Sequence, residues 1–169
     1  YMYNTDEVKA FTANIWAKSY NVIATCNNVI QHIDKADRSM FPNEDIFEVE
    51  LIKGEALAVR AFLHFELLRL FAPAPVVDIQ AKAIPYVEYY PDMFPERKTS
   101  RQVLDRIIAD LEEALRLISL YEGADARYTG LSSTANRFNM GVIEPGLFFW
   151  GRGARMNLVA LQALLARVY

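Results

Sequence analysis

The run from Phe62 to Phe71 is apolar on nearly all sides and is closed by Pro73 and Pro75. No other feature constrains the fold as strongly. A helix with that surface has to be packed by several neighbours, and proline cannot continue it. The run is the end of a longer helical repeat, in which Phe47, Leu51, Gly54, Ala58, Phe62, Phe65 and Leu68 recur by threes and fours. Glu44, Asp45, Glu48 and Glu50 put negative charge at the start, where the helix dipole favours it. A helix over about 44–71 is therefore expected at the centre, with the other elements arranged around it.

Three further helices are expected. The first covers about 6–34, with Val8, Phe11, Ile15, Val22, Cys26, Val29 and Ile33 as its apolar stripe, Ser19 filling one gap, and capping oxygens at 4–7. A loop containing Pro42 follows. The third begins at Thr99-Ser100-Arg101-Gln102, which fits a capping box with hydroxyl and amide three residues apart. Its inner face would be Val103, Ile107, Leu111, Ala114, Ile118 and Tyr121, with Glu112 and Arg116 paired outside. The last starts near Met156, with Asn157 as cap and Ala160, Ala163 and Ala166 admitting a close neighbour.

Two stretches carry no helical period. Residues 76–98 contain Pro85, Pro91 and Pro95 and read as an extended crossing, in which Val76-Val77 and Tyr86-Val87 could pair as short strands at most. Residues 123–153 hold five glycines after Gly123, together with Tyr128, Phe138, Phe148, Phe149 and Trp150. The expected class is mostly α, built of helical hairpins with long irregular connections and few or no strands. No internal repeat stands out.

Composition sets outer bounds. At 169 residues the chain has the length of one domain, and an apolar fraction of 53% supports a core and excludes intrinsic disorder. A net charge of −3 without a basic stripe speaks against nucleic acid. Cys26 is the only cysteine, so neither an intrachain disulfide nor a thiolate metal cluster can form. No apolar run approaches the roughly 18 residues of a membrane helix. The chain begins at Tyr1 and stops inside an apolar stretch, and we expect it to be a piece of a longer protein.

No catalytic constellation emerges. His32 and His64 lie on different expected helices, outside any zinc-protease or di-iron spacing, and read as rim or core histidines. Asp110 and Glu113 are one turn apart, and a solvated face shared with Arg106 and Arg116 is the expected role rather than acid–base chemistry. Glu55 and Arg60 sit in the apolar helix and point about 140° apart. They need not be partners, and each is expected to tie its helix to a neighbouring one. Gly151-Arg152-Gly153 is too short for a phosphate cradle, Ser132 and Ser133 lie outside a nucleophile elbow, and Cys26 reads as a buried structural thiol. Phe148, Phe149 and Trp150 are the candidate binding residues. Their rings either stack on a sugar or partner surface or fold back into the core.

Four stretches, taken in order, resemble one family. Trp16, Tyr20, Ile23 and Asn27 fit W-x-x-x-Y-x-x-I-x-x-x-N, and 54–65 fits G-E-A-x-x-x-R-A-F-x-x-F. Ile84-Pro85-Tyr86-Val87 and the helix from Thr99 to Ile118 look like a proline-rich crossing and its D-L-x-x-A helix. Arg155-Met156-Asn157 with 163–169 is similar to the next signature helix. Together they resemble SusD/RagB-like proteins. The resemblance implies a non-enzymatic lipoprotein on the outer face of the outer membrane of Bacteroidetes, which binds glycans or other nutrients and lids a SusC-like TonB-dependent transporter. It implies no cofactor, and contact with the membrane only through a lipid anchor that this chain lacks. Residues 1–169 would be a single helical-repeat domain, built of tetratricopeptide-like hairpins and serving mainly as scaffold. Gly54, Glu55, Arg60, Arg155 and Asn157 match motif positions with structural roles. The alternative is a helical protein–protein adaptor without a glycan ligand.

Overall fold

The computed structural model describes residues 5–41, 46–122 and 152–169. Their order is α1 (Asp6–His32), α2 (Ile46–Phe71), a one-turn α3 (Pro75–Asp78), β1 (Lys82–Pro85), β2 (Arg97–Thr99), α4 (Ser100–Glu122) and α5 (Leu158–Val168), with 3-10 turns at Ile33–Lys35, Arg38–Met40 and Arg152–Ala154. The described chain is mostly α, as expected.

The central placement of α2 follows from its contacts. On one side Lys53 meets Asp34, Arg60 meets Asn27, and Phe71 meets Trp16. On the other, Glu50 meets Tyr121, Gly54 meets Ile118, and Arg60 meets Asp110. Numbers rise along one helix as they fall along the other, so α2 runs antiparallel to both α1 and α4. Helices α4 and α5 are antiparallel by the same test, since Glu122 meets Leu158 and Glu112 meets Tyr169. The result is two helical hairpins joined through α2 and α4. Leu51, Ala58, Ala61, Ile107, Leu111 and Ile118 form the sealed centre.

Glycine is needed at 54 for packing. A Cβ there would lie 2.8 Å from Ile118 Cγ1 and 3.4 Å from Leu117 Cβ, so its absence sets how closely α2 and α4 approach. The capping box of α4 forms as expected: Gln102 N donates to Thr99 Oγ1 (3.2 Å) and Thr99 N donates to Gln102 Oε1 (3.0 Å). Helix α5 is capped twice. Ala160 N donates to Asn157 Oδ1 and Leu158 N to Glu122 Oε2, both at 2.9 Å.

Several expectations need correction. The inner stripe of α1 is Ile23, Cys26 and Asn27, buried, with Trp16, Tyr20 and Ile30 partly buried beside them, whereas Phe11 and Val22 are exposed. The inner face carries polar heads that hydrogen-bond inward, so counting apolar residues alone rotates the stripe. Val76 and Val77 form no strand. They lie in α3, almost fully exposed. The strands that do form are β1 and β2, antiparallel with Lys82 opposite Thr99 and Pro85 opposite Arg97, and an irregularity between Lys82 and Ile84. Tyr86 and Val87 follow β1 without pairing as a strand. Arg116 pairs with Glu113, not Glu112. On α5 the buried residues are Leu161 and Leu164, while Ala163 and Ala166 face outward.

Candidate functional site

The segment between β1 and β2 crosses α1, and side chains from the helices hold it there by its main chain. Tyr20 OH donates to Pro85 O (2.9 Å), Asn27 Nδ2 to Val87 O (2.9 Å), and Arg60 Nη1 to Glu88 O (3.3 Å). Gln31 grips Tyr90 twice, accepting from its N (2.6 Å) and donating to its O (3.1 Å). The Tyr90–Pro91 peptide is cis.

Below this crossing lies a buried polar knot. Arg60 from α2 donates to both oxygens of Asp110 on α4, Nε to Oδ2 at 2.6 Å and Nη2 to Oδ1 at 2.7 Å. Its Nη1 reaches Asn27 Oδ1 on α1 at 2.9 Å, so one guanidinium joins three helices. Burial is the largest single influence and opposes the Arg60 charge, but the hydrogen bond and charge of Asp110, together with Tyr86 and Glu88, leave the pKa raised. Tyr86 OH donates to the same Asp110 Oδ2 at 2.5 Å. Burial, and then the charge of Asp110, push the Tyr86 phenol far above its usual range.

His64, fully buried, stacks on Tyr86 with ring centroids 3.9 Å apart. Its Nδ1 lies 2.9 Å from Arg60 O, an acceptor, and its Nε2 receives Val87 N–H at 3.1 Å. These partners fix one neutral tautomer, protonated on Nδ1. Burial lowers the pKa to about 3. Every polar group of this knot is engaged in holding the fold, which leaves it no free acid, base or nucleophile.

Most single residues sit where their chemistry placed them, with one large exception. Asp110 is buried on Arg60, not on a solvated face; Glu113 does lie at the surface beside Arg116. Arg60 does tie α2 to neighbouring helices, whereas Glu55 ties it to Arg155, just before α5, through Nη2 at 2.7 Å. Cys26 is buried and its thiol pKa is raised by burial. His32 is exposed, 2.8 Å from Asn28 O. Phe148, Phe149 and Trp150 lie outside the described residues. Among the described residues, no group of three or more His, Cys, Asp or Glu converges to hold a metal, and no helix is long and apolar enough to cross a membrane.

Sequence reasoning placed Tyr20 and Asn27 in one motif but missed Gln31 and the joint role of the three in holding the crossing. Their spacing of seven and four places them on one face of α1, a signal that the amino-acid order itself carries. The crossing they hold presents Tyr89, Tyr90, Met93 and Phe94 outward, all exposed. Two grooves that share Tyr90 and Ala24 as lining residues adjoin it, of about 350 Å3 and about 230 Å3. A third, of about 390 Å3, lies at the far end of α2 between Phe65, Leu68, Pro73, Leu104 and Val168, with Arg69 and Arg167 at its edge.

The SusD-like family described as starch-binding and associating with the outer membrane matches residues 2–135. Two SusD-like proteins of Formosa agariphila are similar. One is 27% identical over 120 residues, covering 71% of this chain and 21% of the relative. The other is 26% identical over 99 residues, covering 59% and 17%. The crystal structure of a SusD superfamily protein from Bacteroides thetaiotaomicron aligns with a TM-score of 0.63 at 27% identity, over 91% of this chain and 27% of that one. A putative sugar binding protein from Bacteroides vulgatus aligns with a TM-score of 0.65 at 25% identity, over 92% and 28%. The chain thus spans about a fifth of the length of these curated relatives. Matched over most of its length, and folded like those solved structures, the chain belongs to the SusD-like family.

Proposed function

We propose that this chain is the helical part of a non-enzymatic glycan-binding protein. It works at the outer face of the outer membrane with a SusC-like TonB-dependent transporter. The observation that carries the reading is the match of residues 2–135 to a family described as starch-binding and outer-membrane associated. The geometry supports it in two ways. The polar knot of Arg60, Asp110, Tyr86 and His64 is committed to structural bonds that hold the exposed crossing in place, as a binding scaffold requires. The exposed crossing offers aromatic rings and amides, the chemistry that holds sugars without changing them.

Residues 1–169 serve in this reading as one helical-repeat region of a longer protein. Phe148, Phe149 and Trp150 remain the proposed stacking rings of the 123–153 segment. A second reading, an adaptor without a glycan ligand, draws on the apolar groove beside Phe65 and the exposed Val76 and Val77.

Electrophoresis in gels containing a panel of polysaccharides tests both readings, run on this chain and on its full-length parent. Retardation of both places a ligand site within 1–169, and loss of it in Trp150→Ala assigns the ring. Retardation of the parent alone makes this region scaffold and transporter contact. No retardation of either, with a transporter still co-purifying, overturns the glycan reading in favour of the adaptor.

A further inference from the structure

We propose that the groove between the outer face of α1 and the Tyr90 ring is a subsite for a neutral sugar ring. The proposal rests on the glycan-binding reading above and gives it a place in the described fold.

Three observations carry it. The first is a fixed aromatic platform. Gln31 clamps the main chain of Tyr90 from both sides, and Asn27, itself held by Arg60, binds the carbonyl of Tyr89 (3.3 Å). The main chain that carries the ring is therefore set before any ligand arrives, while the residue stays 49% exposed. Such preorganisation lowers the cost of binding.

The second observation is the wall facing it. Asn21, Thr25 and Asn28 fall at i, i+4 and i+7, on successive turns of one face of α1, and line the groove with Tyr90. The side-chain amides of Asn21 and Asn28 make no hydrogen bond to other described residues. Thr25 donates its hydroxyl to Asn21 O (3.0 Å), so its oxygen remains an acceptor. Each amide offers a carbonyl acceptor beside two N–H donors. That pairing suits the adjacent hydroxyls of a pyranose, each both donor and acceptor. Ala24, between them, is small enough to leave the floor open.

The third is what the groove lacks. None of its lining residues is charged, so it offers no counter-charge to a phosphate, sulfate, uronate or amine. The adjoining groove shares Ala24 and Tyr90 and continues past Tyr89, Asp92, Met93 and Pro95; its one charged lining residue, Asp92, is acidic and repels an anionic unit. It would receive the neighbouring unit, so an oligosaccharide could lie across the Tyr90 edge.

Affinity electrophoresis of the full-length protein tests this, with soluble starch, galactomannan and the anionic polysaccharide alginate in the gels. Retardation by a neutral polymer is expected, with apparent affinity falling about fivefold in Tyr90→Ala, the scale of one lost ring contact. Asn21→Ala with Asn28→Ala should weaken it comparably, and Tyr90→Phe should keep it. Unchanged thermal melts establish that each variant is folded. Parent and Tyr90→Ala retarded equally would overturn the subsite while leaving the glycan reading standing. Preferential retardation by alginate, lost in Tyr90→Ala, would overturn the neutral class. Absence of retardation of the parent by any polymer would overturn both.

Discussion

Arg60 and Asp110 meet as a two-pronged ion pair across α2 and α4, with side chains 6% and 11% exposed. Tyr86 shares one of the carboxylate oxygens and Asn27 takes the remaining guanidinium nitrogen. Removing either member strands a buried charge. Asp110→Ala should therefore destabilise the chain by about 3–5 kcal/mol, the range for breaking a buried pair from one side. Urea unfolding measures it. A loss below about 1 kcal/mol would show that water reaches the guanidinium.

His64 gives the fold a pH dependence whose sign can be worked out. Its folded pKa is about 3, against about 6.5 when unfolded. Between these values the unfolded chain binds the extra proton, so stability is full above about pH 6.5 and declines as pH falls toward 3. Glu122, whose carboxyl is raised by burial, contributes in the opposite direction. His64→Gln retains an acceptor for Val87 N and should flatten the decline between about pH 6.5 and 4 in a series of denaturant midpoints. An unchanged slope would assign the acid sensitivity elsewhere.

At Gly54 two effects compete. Alanine gains about 1 kcal/mol of helix propensity. Its Cβ meets a γ-carbon of Ile118 at 2.8 Å, too close to the main chain for a rotamer change to relieve cheaply. Overpacking of this kind costs about 1–3 kcal/mol. Gly54→Ala should thus be neutral to about 2 kcal/mol destabilising, and Gly54→Val clearly worse. A stabilised Gly54→Ala in thermal melts would mean that α2 and α4 separate without penalty.

The start of α5 depends on two acceptors. Asn157→Ala should cost about 1 kcal/mol, because Glu122 still receives Leu158 N. Combined with Glu122→Ala the loss should exceed the sum of the single changes, since the first turn then has neither acceptor. Additive losses in denaturant melts would show the two caps to be independent.

Val76 and Val77 are 93% and 75% exposed beside the groove at Pro73 and Pro75, and Leu70 is 59% exposed. Apolar surface left open in this way promotes association. Light scattering of the isolated chain should show concentration-dependent growth, reduced in a Val76→Lys, Val77→Glu variant. A monodisperse monomer at high concentration would contradict the expectation.

The helices are legible in the sequence because each has a strong local signal. Examples are the apolar run to Phe71 with its prolines, the hydroxyl–amide pair at Thr99 and Gln102, and the Asn157 cap. What escapes depends on contacts distant in sequence. Asp110 reads as a surface carboxylate until Arg60, 50 residues away, is brought against it. The stripe of α1 is misplaced because Tyr20 and Asn27 face inward with polar heads, which an apolar count passes over. The strands are misplaced for a similar reason. Lys82 to Pro85 pairs through its backbone with Arg97 to Thr99, and neither piece has the alternation that marks a half-buried strand. The Tyr90 platform is set by Gln31, 59 residues away, and no local pattern announces it.

Beyond Tyr86, whose side chain is tied to Asp110 and His64, the crossing is moored mostly through its main chain. Tyr20, Asn27, Gln31 and Arg60 bind the main chain at Pro85, Val87, Glu88, Tyr89 and Tyr90, and none of these bonds uses a side chain of the crossing itself. Tyr89, Tyr90, Met93 and Phe94 can therefore be exchanged for other side chains while these main-chain bonds stay in place. The outer surface of the crossing can thus be recut residue by residue without renegotiating the architecture that carries it.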